Sequence, residues 1–144
     1  MPSYRVATDI TAPPEVVFAL VGDLAAHGDW AADDVVVEPV DDAPLAMGKR
    51  YRSKAHAKGK TFTADLELMA HEPTSRVVFT ATDATGRFTH TITLAPTSNG
   101  THVERAIDGK LSAGQALLFW LVLLPVKKPS ARASLERLKA RAEG

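Results

Sequence analysis

Cysteine is absent from this 144-residue chain, aromatic residues make up only 6% of it, and its seventeen basic residues balance its seventeen acidic ones. Without cysteine the chain has no disulfide, no thiol nucleophile and no thiolate metal ligand, which fits a reducing compartment. With no net charge, nothing steers the whole molecule toward nucleic acid. The N-terminus shows no apolar export signal, so we expect a cytoplasmic location.

Common patterns of metal and cofactor sites are missing as well. The five histidines include no pair four residues apart, and three of them, His56, His71 and His102, are predicted on the solvent side of a sheet. There is no Gly-x-Gly-x-x-Gly motif, Walker loop or Gly-x-Ser-x-Gly elbow. We therefore expect no metal, no cofactor and no nucleic-acid partner.

Long hydrophobic runs are also missing. The most apolar segment, Ala116–Leu124, runs for nine residues, whereas crossing a bilayer takes roughly 20, so we expect no stable membrane insertion. Ser112 and Gln115 have the spacing of a capping box, which predicts a helix start at Ser112. Pro125 predicts a kink or a break, and Pro129 is able to open a second piece. The C-terminal third is thus predicted as one long, bent helix.

What the chain does have is a series of short alternating segments between residues 34 and 109. The predicted strands are Val35–Val40, Arg50–Ala57, Thr61–His71, Arg76–Thr82, Arg87–Ala95 and Thr101–Asp108. If the connecting turns are even in length, directly opposed residues have odd index sums, and one face can be followed across the hairpins. That face is apolar except at Tyr51, Ser53, His90 and Arg105.

A sheet with one apolar face needs a second layer, and the C-terminal helix is the only apolar body left to supply it. We therefore predict that the sheet wraps Ala116–Leu124. An edge strand is predicted at Tyr4–Ile10, followed by a helix that opens at Ala12-Pro-Pro-Glu15 and a short turn at His27–Trp30. The helical apolar stripes are Val17, Leu20, Val21 and Leu24 near the N-terminus, and Ala131, Leu135, Leu138 and Ala142 near the C-terminus.

This order of elements resembles the START-related polyketide cyclase/dehydrase and lipid-transport superfamily, also called SRPBCC. The residues that carry the resemblance are Ala12-Pro13-Pro14-Glu15-Val-Val-Phe18, Asp23, Trp30, Gly48, Glu72-Pro73, Gly100-Thr101 and Leu135-Glu-Arg-Leu-Lys139. The resemblance covers essentially the whole chain, as one domain of residues 1–144. It implies an α+β helix-grip fold, in which a curved antiparallel sheet of about seven strands wraps a long C-terminal helix, two short helices follow the first strand, and an apolar cavity lies inside.

Members of this superfamily bind lipids, quinones, hormones or polyketides, and a minority catalyse cyclisation or dehydration, so the polar residues of the inner face are the candidate site. A buried Arg105 would orient an acidic or carbonyl end of a ligand, or else its stem lies along the wall while its head reaches water or an acidic side chain. His90 is either an acid-base group or a satisfied core residue. The expected ligand-binding residues are Tyr51, Ser53, Phe62, Leu66, Phe79, Phe88, His90, Ile92, Arg105, Phe119 and Trp120.

Three functions are compatible with these residues. The first is binding of an apolar, lipid-like, aromatic or polyketide-like small molecule between the sheet and the C-terminal helix. The second is a cyclase or dehydratase in which His90 moves a proton and Arg105 stabilises an enolate-like oxygen. The third is a membrane-surface lipid carrier or protein-interaction module, indicated by the apolar run beside Lys127 and Lys128. Enzyme status and oligomeric state are left open.

Overall fold

A computed structural model describes residues 3–32, 34–57, 59–84, 86–118, 121–122 and 124–144. The strands are β1 (Ser3–Ile10), β2 (Asp34–Pro39), β3 (Arg50–Ala57), β4 (Lys60–Glu72), β5 (Arg76–Asp83), β6 (Gly86–Thr97) and β7 (Gly100–Lys110). The helices are α1 (Pro14–Val21), a 3-10 helix (Leu24–Asp29), α2 (Ala113–Leu118) and α3 (Leu124–Glu143). Two short helices after the first strand and a long C-terminal helix confirm the predicted helix-grip order.

The strands form one curved antiparallel sheet in the order β1-β7-β6-β5-β4-β3-β2. The predicted odd index sums are confirmed by pairs such as Tyr51 with Leu66, Leu68 with Phe79, Phe79 with His90, and Ile92 with Arg105. Because the register is as predicted, most of the expected apolar face is buried, namely Tyr51, Leu66, Leu68, Val77, Phe79, Phe88, Ile92, Leu94, Val103, Arg105 and Ile107. The sheet therefore offers a concave, mostly apolar surface to the helices.

One irregularity in β4 changes the position of a histidine. The pairing of β4 with β5 shifts by one residue between Leu68 and Ala70, as in a β-bulge. Beyond the shift, His71 pairs with the buried Val77, and its ring lies edge-on to Phe18 with the centroids 5.2 Å apart. The prediction that His71 faces solvent is wrong, because one extra residue in a strand moves every later side chain to the opposite face.

The start of β7 passes close to the end of β1, and the local sequence fits that contact. A Cβ atom on Gly100 would lie 1.9 Å from the carbonyl oxygen of Ile10, so only glycine allows the two backbones to approach. Thr101 is completely buried, and its hydroxyl donates a hydrogen bond of 2.8 Å to the carbonyl oxygen of Ala12. Gly100 and Thr101 are therefore structural residues.

Helix α3 packs against β1 and α1 through its C-terminal half. Its buried residues Ala131, Leu135 and Leu138 confirm the predicted stripe. Ser134 is buried beside them, where its hydroxyl donates to the carbonyl oxygen of Ser130 and accepts from the backbone N–H of Ala32. These contacts tie α3 to the turn that leads into β2.

The apolar run before α3 is not wrapped by the sheet. Leu117, Leu118, Leu121 and Val122 are all exposed, and α2 buries no residue. The prediction that the sheet wraps Ala116–Leu124 is therefore wrong for the described part of that segment. The reason is that α3 already supplies an apolar stripe to the core through residues further along the chain.

The helix boundaries agree with the sequence signals only in part. The capping box is confirmed, since the Gln115 backbone N–H donates to the Ser112 hydroxyl and the Ser112 backbone N–H donates to the Gln115 side chain. Pro125 lies in the first turn of α3, a part of a helix in which proline is well tolerated. Pro129 does not open a new helix, because α3 continues through it. Within the described residues, no helix is long and apolar enough to cross a bilayer.

Candidate ligand-binding cavity

An inner cavity of about 120 Å³ lies between the concave face of the sheet and the 3-10 helix. Its wall is mostly apolar, with three polar or charged groups, Ser53, His90 and Arg105, from the sheet and one, His27, from the 3-10 helix. The remaining wall residues are Leu24, Val35, Val37, Ala64, Leu66, Phe79 and Ala81. Small side chains at positions 64 and 81 leave this space open at the centre of the sheet.

A second hollow, the outer cleft, has a volume of about 250 Å³ and shares His27, Val35 and Arg105 with the inner cavity. Its other walls come from β1, β3, β7 and the first turns of α3, including Val126 and Lys127. Arg105 and His27 therefore stand where the two spaces meet. The outer cleft is the part of the predicted cavity that lies between the sheet and the C-terminal helix.

Arg105 fixes the protonation of the neighbouring histidine. Its Nη2 lies 3.0 Å from Nδ1 of His90, which is two strand positions from Ile92, the residue paired with Arg105. A guanidinium only donates hydrogen bonds, so Nδ1 of His90 must be the acceptor. The ring of His90 is thus neutral with its proton on Nε2, and it stacks on Phe79 with the two planes 9° apart.

His27 completes this polar cluster from a different part of the chain. Its ring lies edge-on to Trp30 with the centroids 4.6 Å apart, and the guanidinium carbon of Arg105 is 5.8 Å from the centroid of the same indole. Trp30 is buried and its Nε1–H donates to the carbonyl oxygen of Leu20, so it anchors the cluster by packing. In the sequence, His27 is predicted only as part of a turn, and no local signal marks it as a cavity residue.

Burial and neighbouring positive charge hold both histidines in the neutral form. Burial, followed by the charge of Arg105, lowers the pKa of His27 to about 3. Burial lowers the pKa of His90 well below its ordinary value, and the positive charges of Arg105 and Lys127 act in the same direction. Near neutral pH the cavity therefore presents one guanidinium and two uncharged imidazoles.

Tyr51 lies in the core beside this cavity. It is almost completely buried, and its hydroxyl has no hydrogen-bond partner among the described residues. Burial, together with the negative charge of Asp23, raises the pKa of Tyr51 to about 12, so the phenol stays protonated. Tyr51 is not one of the residues that line the inner cavity.

The predicted ligand-binding residues fall into four groups. Five line the inner cavity: Ser53, Leu66, Phe79, His90 and Arg105. Three are buried in the surrounding core: Tyr51, Phe88 and Ile92. Phe62, near the turn between β3 and β4, is 55% exposed and does not reach the cavity. Phe119 and Trp120 lie outside the described residues.

A larger hollow of about 480 Å³ occupies the convex side of the sheet, where Arg50, Arg52, Asp65 and Glu67 form part of its wall. Arg50 pairs with Glu67 at 3.6 Å and Arg52 with Asp65 at 3.3 Å, and all four side chains are well exposed. Because this hollow is open and its wall is charged, an apolar compound would bury little of its own surface there. The inner cavity and the outer cleft are therefore the candidate site, although each is smaller than the hollow on the convex side.

The neutral histidines give a testable pH dependence of stability. Their pKa values are lower in the folded chain than in the unfolded chain, so unfolding takes up protons as the pH falls below about 6.5. The free energy of unfolding should therefore decrease on acidification, by about 1.4 kcal/mol per pH unit for each histidine at most. Urea titrations between about pH 6 and about pH 4 measure this slope.

The double variant His27→Gln/His90→Gln separates this effect from the titration of carboxylates. Its unfolding free energy should depend much less on pH over the same range. An unchanged slope in the double variant would show that the two histidines are not held neutral by the fold.

The curved antiparallel sheet, the long C-terminal helix and the apolar cavity with its few polar groups define a hydrophobic ligand-binding fold of the helix-grip class. The chain belongs to the family described as polyketide cyclase / dehydrase and lipid transport, whose profile matches residues 1–143. No curated protein matches the sequence.

Solved structures share the fold at low sequence identity. Protein CV1439 from Chromobacterium violaceum is 24% identical, with a TM-score of 0.79 and coverage of 100% of this chain and 99% of that chain. The di-domain ARO/CYC StfQ from the steffimycin biosynthetic pathway is 12% identical, with a TM-score of 0.79 and coverage of 98% and 50%. Ara h 8.0201 is 15% identical, with a TM-score of 0.69 and coverage of 98% and 97%.

Proposed function

We propose that this protein binds an apolar small molecule that carries an oxygen acceptor at one end. The acceptor, a carbonyl or an acidic group, lies in the inner cavity against Arg105 and His90, and the apolar body extends into the outer cleft. The observation that carries the proposal is the hydrogen bond between Arg105 and His90 inside a mostly apolar cavity.

The dimensions of the two spaces support a ligand of modest size. A cavity of roughly 150 Å³ is known to hold benzene. The inner cavity, at about 120 Å³, is somewhat smaller, so by itself it has room for no more than a short chain segment or part of a ring. Pockets for larger ligands usually measure about 300–1,000 Å³, so a lipid-like or polyketide-like molecule needs the outer cleft as well. Arg105 lines both the inner cavity and the outer cleft, so it would contact the part of such a ligand that lies between them.

The polar groups of the cavity favour an acceptor on the ligand. A guanidinium has five N–H donors and can serve more than one acceptor. His90 accepts from Arg105 at Nδ1, so its Nε2 is a second donor. Donors in a buried, apolar site reject a purely hydrocarbon ligand, because their hydrogen bonds to water are then lost without replacement.

Binding is favoured over acid-base catalysis for the same reason. A general base must accept a proton, but a protonated His90 would be a second buried cation beside Arg105, and it would lose the hydrogen bond at Nδ1. A catalytic pKa is normally close to the working pH, whereas the pKa of His90 lies well below it. A pH-dependent turnover that is abolished in His90→Ala while binding is retained would favour the cyclase or dehydratase alternative.

Native mass spectrometry of freshly purified protein, followed by denaturing extraction, tests the proposal. We expect a retained compound that is apolar and contains a carbonyl, carboxyl or phenolic oxygen. The variant Ala81→Leu should fill the inner cavity and remove the compound, since Ala81 is part of its wall. Ala95→Leu is the matched control, because Ala95 is exposed and lies outside the cavity wall.

Two outcomes would count against the proposal. A compound retained equally by Ala81→Leu and the unchanged protein would place the ligand elsewhere. A protein that purifies empty and fails to bind an apolar aromatic dye would leave the cavity without a ligand-binding role.

A further inference from the structure

Five apolar side chains at the junction of α2 and α3 are exposed, and together they form what we call the junction surface: Leu117, Leu118, Leu121, Val122 and Val126. Each is between 46% and 69% exposed. Leu117 and Leu118 end α2, Leu121 and Val122 follow shortly after, and Val126 lies in the first turn of α3, so the five are close neighbours along the chain. A contiguous exposed apolar patch of this kind usually marks a surface that another body covers.

The chain segment that carries the junction surface contains charges of only one sign. Residues 109–135 contain Lys110, Lys127, Lys128 and Arg132 but no aspartate or glutamate, in a chain whose total charge is zero. Lys110 and Lys128 are exposed, and Lys127 lies with its ammonium group 4.9 Å from the ring centroid of Phe88. An apolar strip flanked by cations is the pattern of a segment that lies in the interface of an anionic membrane.

The junction surface also continues into the entrance of the cavity. Val126 belongs to the junction surface and to the wall of the outer cleft, and the neighbouring Lys127 lines the same cleft. A body that covers the junction surface therefore lies beside the opening that leads to Arg105.

We propose that the junction surface binds an anionic lipid surface, with the apolar side chains in the headgroup region and the lysines against lipid phosphates. The protein then rests on the membrane without crossing it, with the mouth of the outer cleft at the interface. This inference concerns a second surface and does not depend on which ligand occupies the inner cavity.

A second copy of the chain is a less favourable occupant. A two-fold symmetric contact places the same patch on both sides of the interface, so the lysines of both copies would be brought into one interface that contains no acidic residue from the segment 109–135. Like charges brought together at an interface oppose association. An anionic lipid surface instead offers opposite charge to the same residues.

Vesicle flotation tests the proposal. We expect the protein to float with phosphatidylcholine vesicles that contain about one quarter phosphatidylserine, to float much less with pure phosphatidylcholine, and to be released by high salt. The double variant Leu117→Asp/Leu121→Asp should reduce the bound fraction on the anionic vesicles at least tenfold. Lys128→Gln should reduce the affinity about fivefold, since each lysine near such a surface contributes about 1 kcal/mol.

Met47→Asp is the matched control, because Met47 is 76% exposed and lies in the loop before β3, outside the junction surface. It should float like the unchanged protein. A protein that stays entirely in the soluble fraction, or a control that loses as much binding as the double variant, would overturn the proposal. A concentration-dependent dimer that the double variant abolishes would assign the surface to a second copy and would overturn it as well.

Discussion

The variant Arg105→Met is expected to weaken binding of the cavity ligand about ten- to a hundredfold, with the chain still folded. A hydrogen bond to a charged group contributes about 1.5–3 kcal/mol, and methionine keeps the apolar stem while removing every donor. Folding should survive with reduced stability, because leaving Nδ1 of His90 without its donor costs about 1–3 kcal/mol, less than the roughly 5–15 kcal/mol by which a domain is usually stable. The retained compound, or an anilinonaphthalene sulfonate dye in its place, can be titrated by fluorescence.

The matched control for this experiment is Arg5→Met. Arg5 lies on the solvent side of β1, where it pairs with Glu104 at 2.8 Å and is mostly exposed. Its loss should leave ligand affinity unchanged, because an exposed ion pair contributes little and Arg5 is outside the cavity wall. Equal affinities for Arg105→Met and Arg5→Met would remove Arg105 from the binding site.

Arg105→Met has a second consequence that does not require a ligand. The positive charge of Arg105 is one cause of the low pKa values of His27 and His90. Removing the charge should raise both values toward 6.5, which NMR titration of the imidazole protons can follow. Affinity and histidine titration should therefore change together in this variant.

Gly100→Ala should destabilise the folded chain by about 3 kcal/mol, the largest stability effect that we expect from a single methyl group. The new Cβ would lie 1.9 Å from the carbonyl oxygen of Ile10 and 3.0 Å from the backbone nitrogen of Ala12. Both neighbours are backbone atoms, so no side chain can rotate away. Strand β7 would have to move from β1, and the buried hydrogen bond from Thr101 to Ala12 would be strained as well. Urea or thermal unfolding measures the loss.

Gly114→Ala is the control for this substitution. A Cβ at Gly114 meets no atom within 4 Å, and the residue lies in the exposed helix α2. Alanine is the better helix former, so this variant should be neutral or slightly more stable. Comparable losses of stability in the two variants would mean that the contact between Gly100 and Ile10 is not tight in the folded protein.

Much of the fold could be predicted because its signals are local. Alternating residues between 34 and 109 indicate the strands, and the short even turn between β6 and β7, where Thr97 pairs with Gly100, sets the register that puts His90 and Arg105 on the same face. The capping box at Ser112 depends only on residues three apart, and it is present as predicted. For the same reason, five of the predicted site residues line the inner cavity.

The predictions that are wrong concern positions whose surroundings are formed by residues distant in the sequence. Nothing in the sequence marks the shift after Leu68, yet it turns His71 from solvent toward Phe18. Leu117 and Leu121 are hydrophobic, which favours burial, but their hydrophobicity does not indicate which part of the protein they would pack against. In the structure both are exposed. A local pattern sets which face a side chain takes, whereas its partner depends on contacts formed by the whole fold.

The sequence alone therefore determined the strands, the register outside the shift in β4, and the inward position of Arg105 and His90, because periodicity and turn length act between near neighbours. The tertiary structure decided that His27 joins them and that the 3-10 helix forms one wall of the inner cavity. It also decided that the apolar segment before α3 is left uncovered. These features depend on how the chain folds back over the sheet, and residues 78 positions apart, such as His27 and Arg105, carry no local signal of their contact.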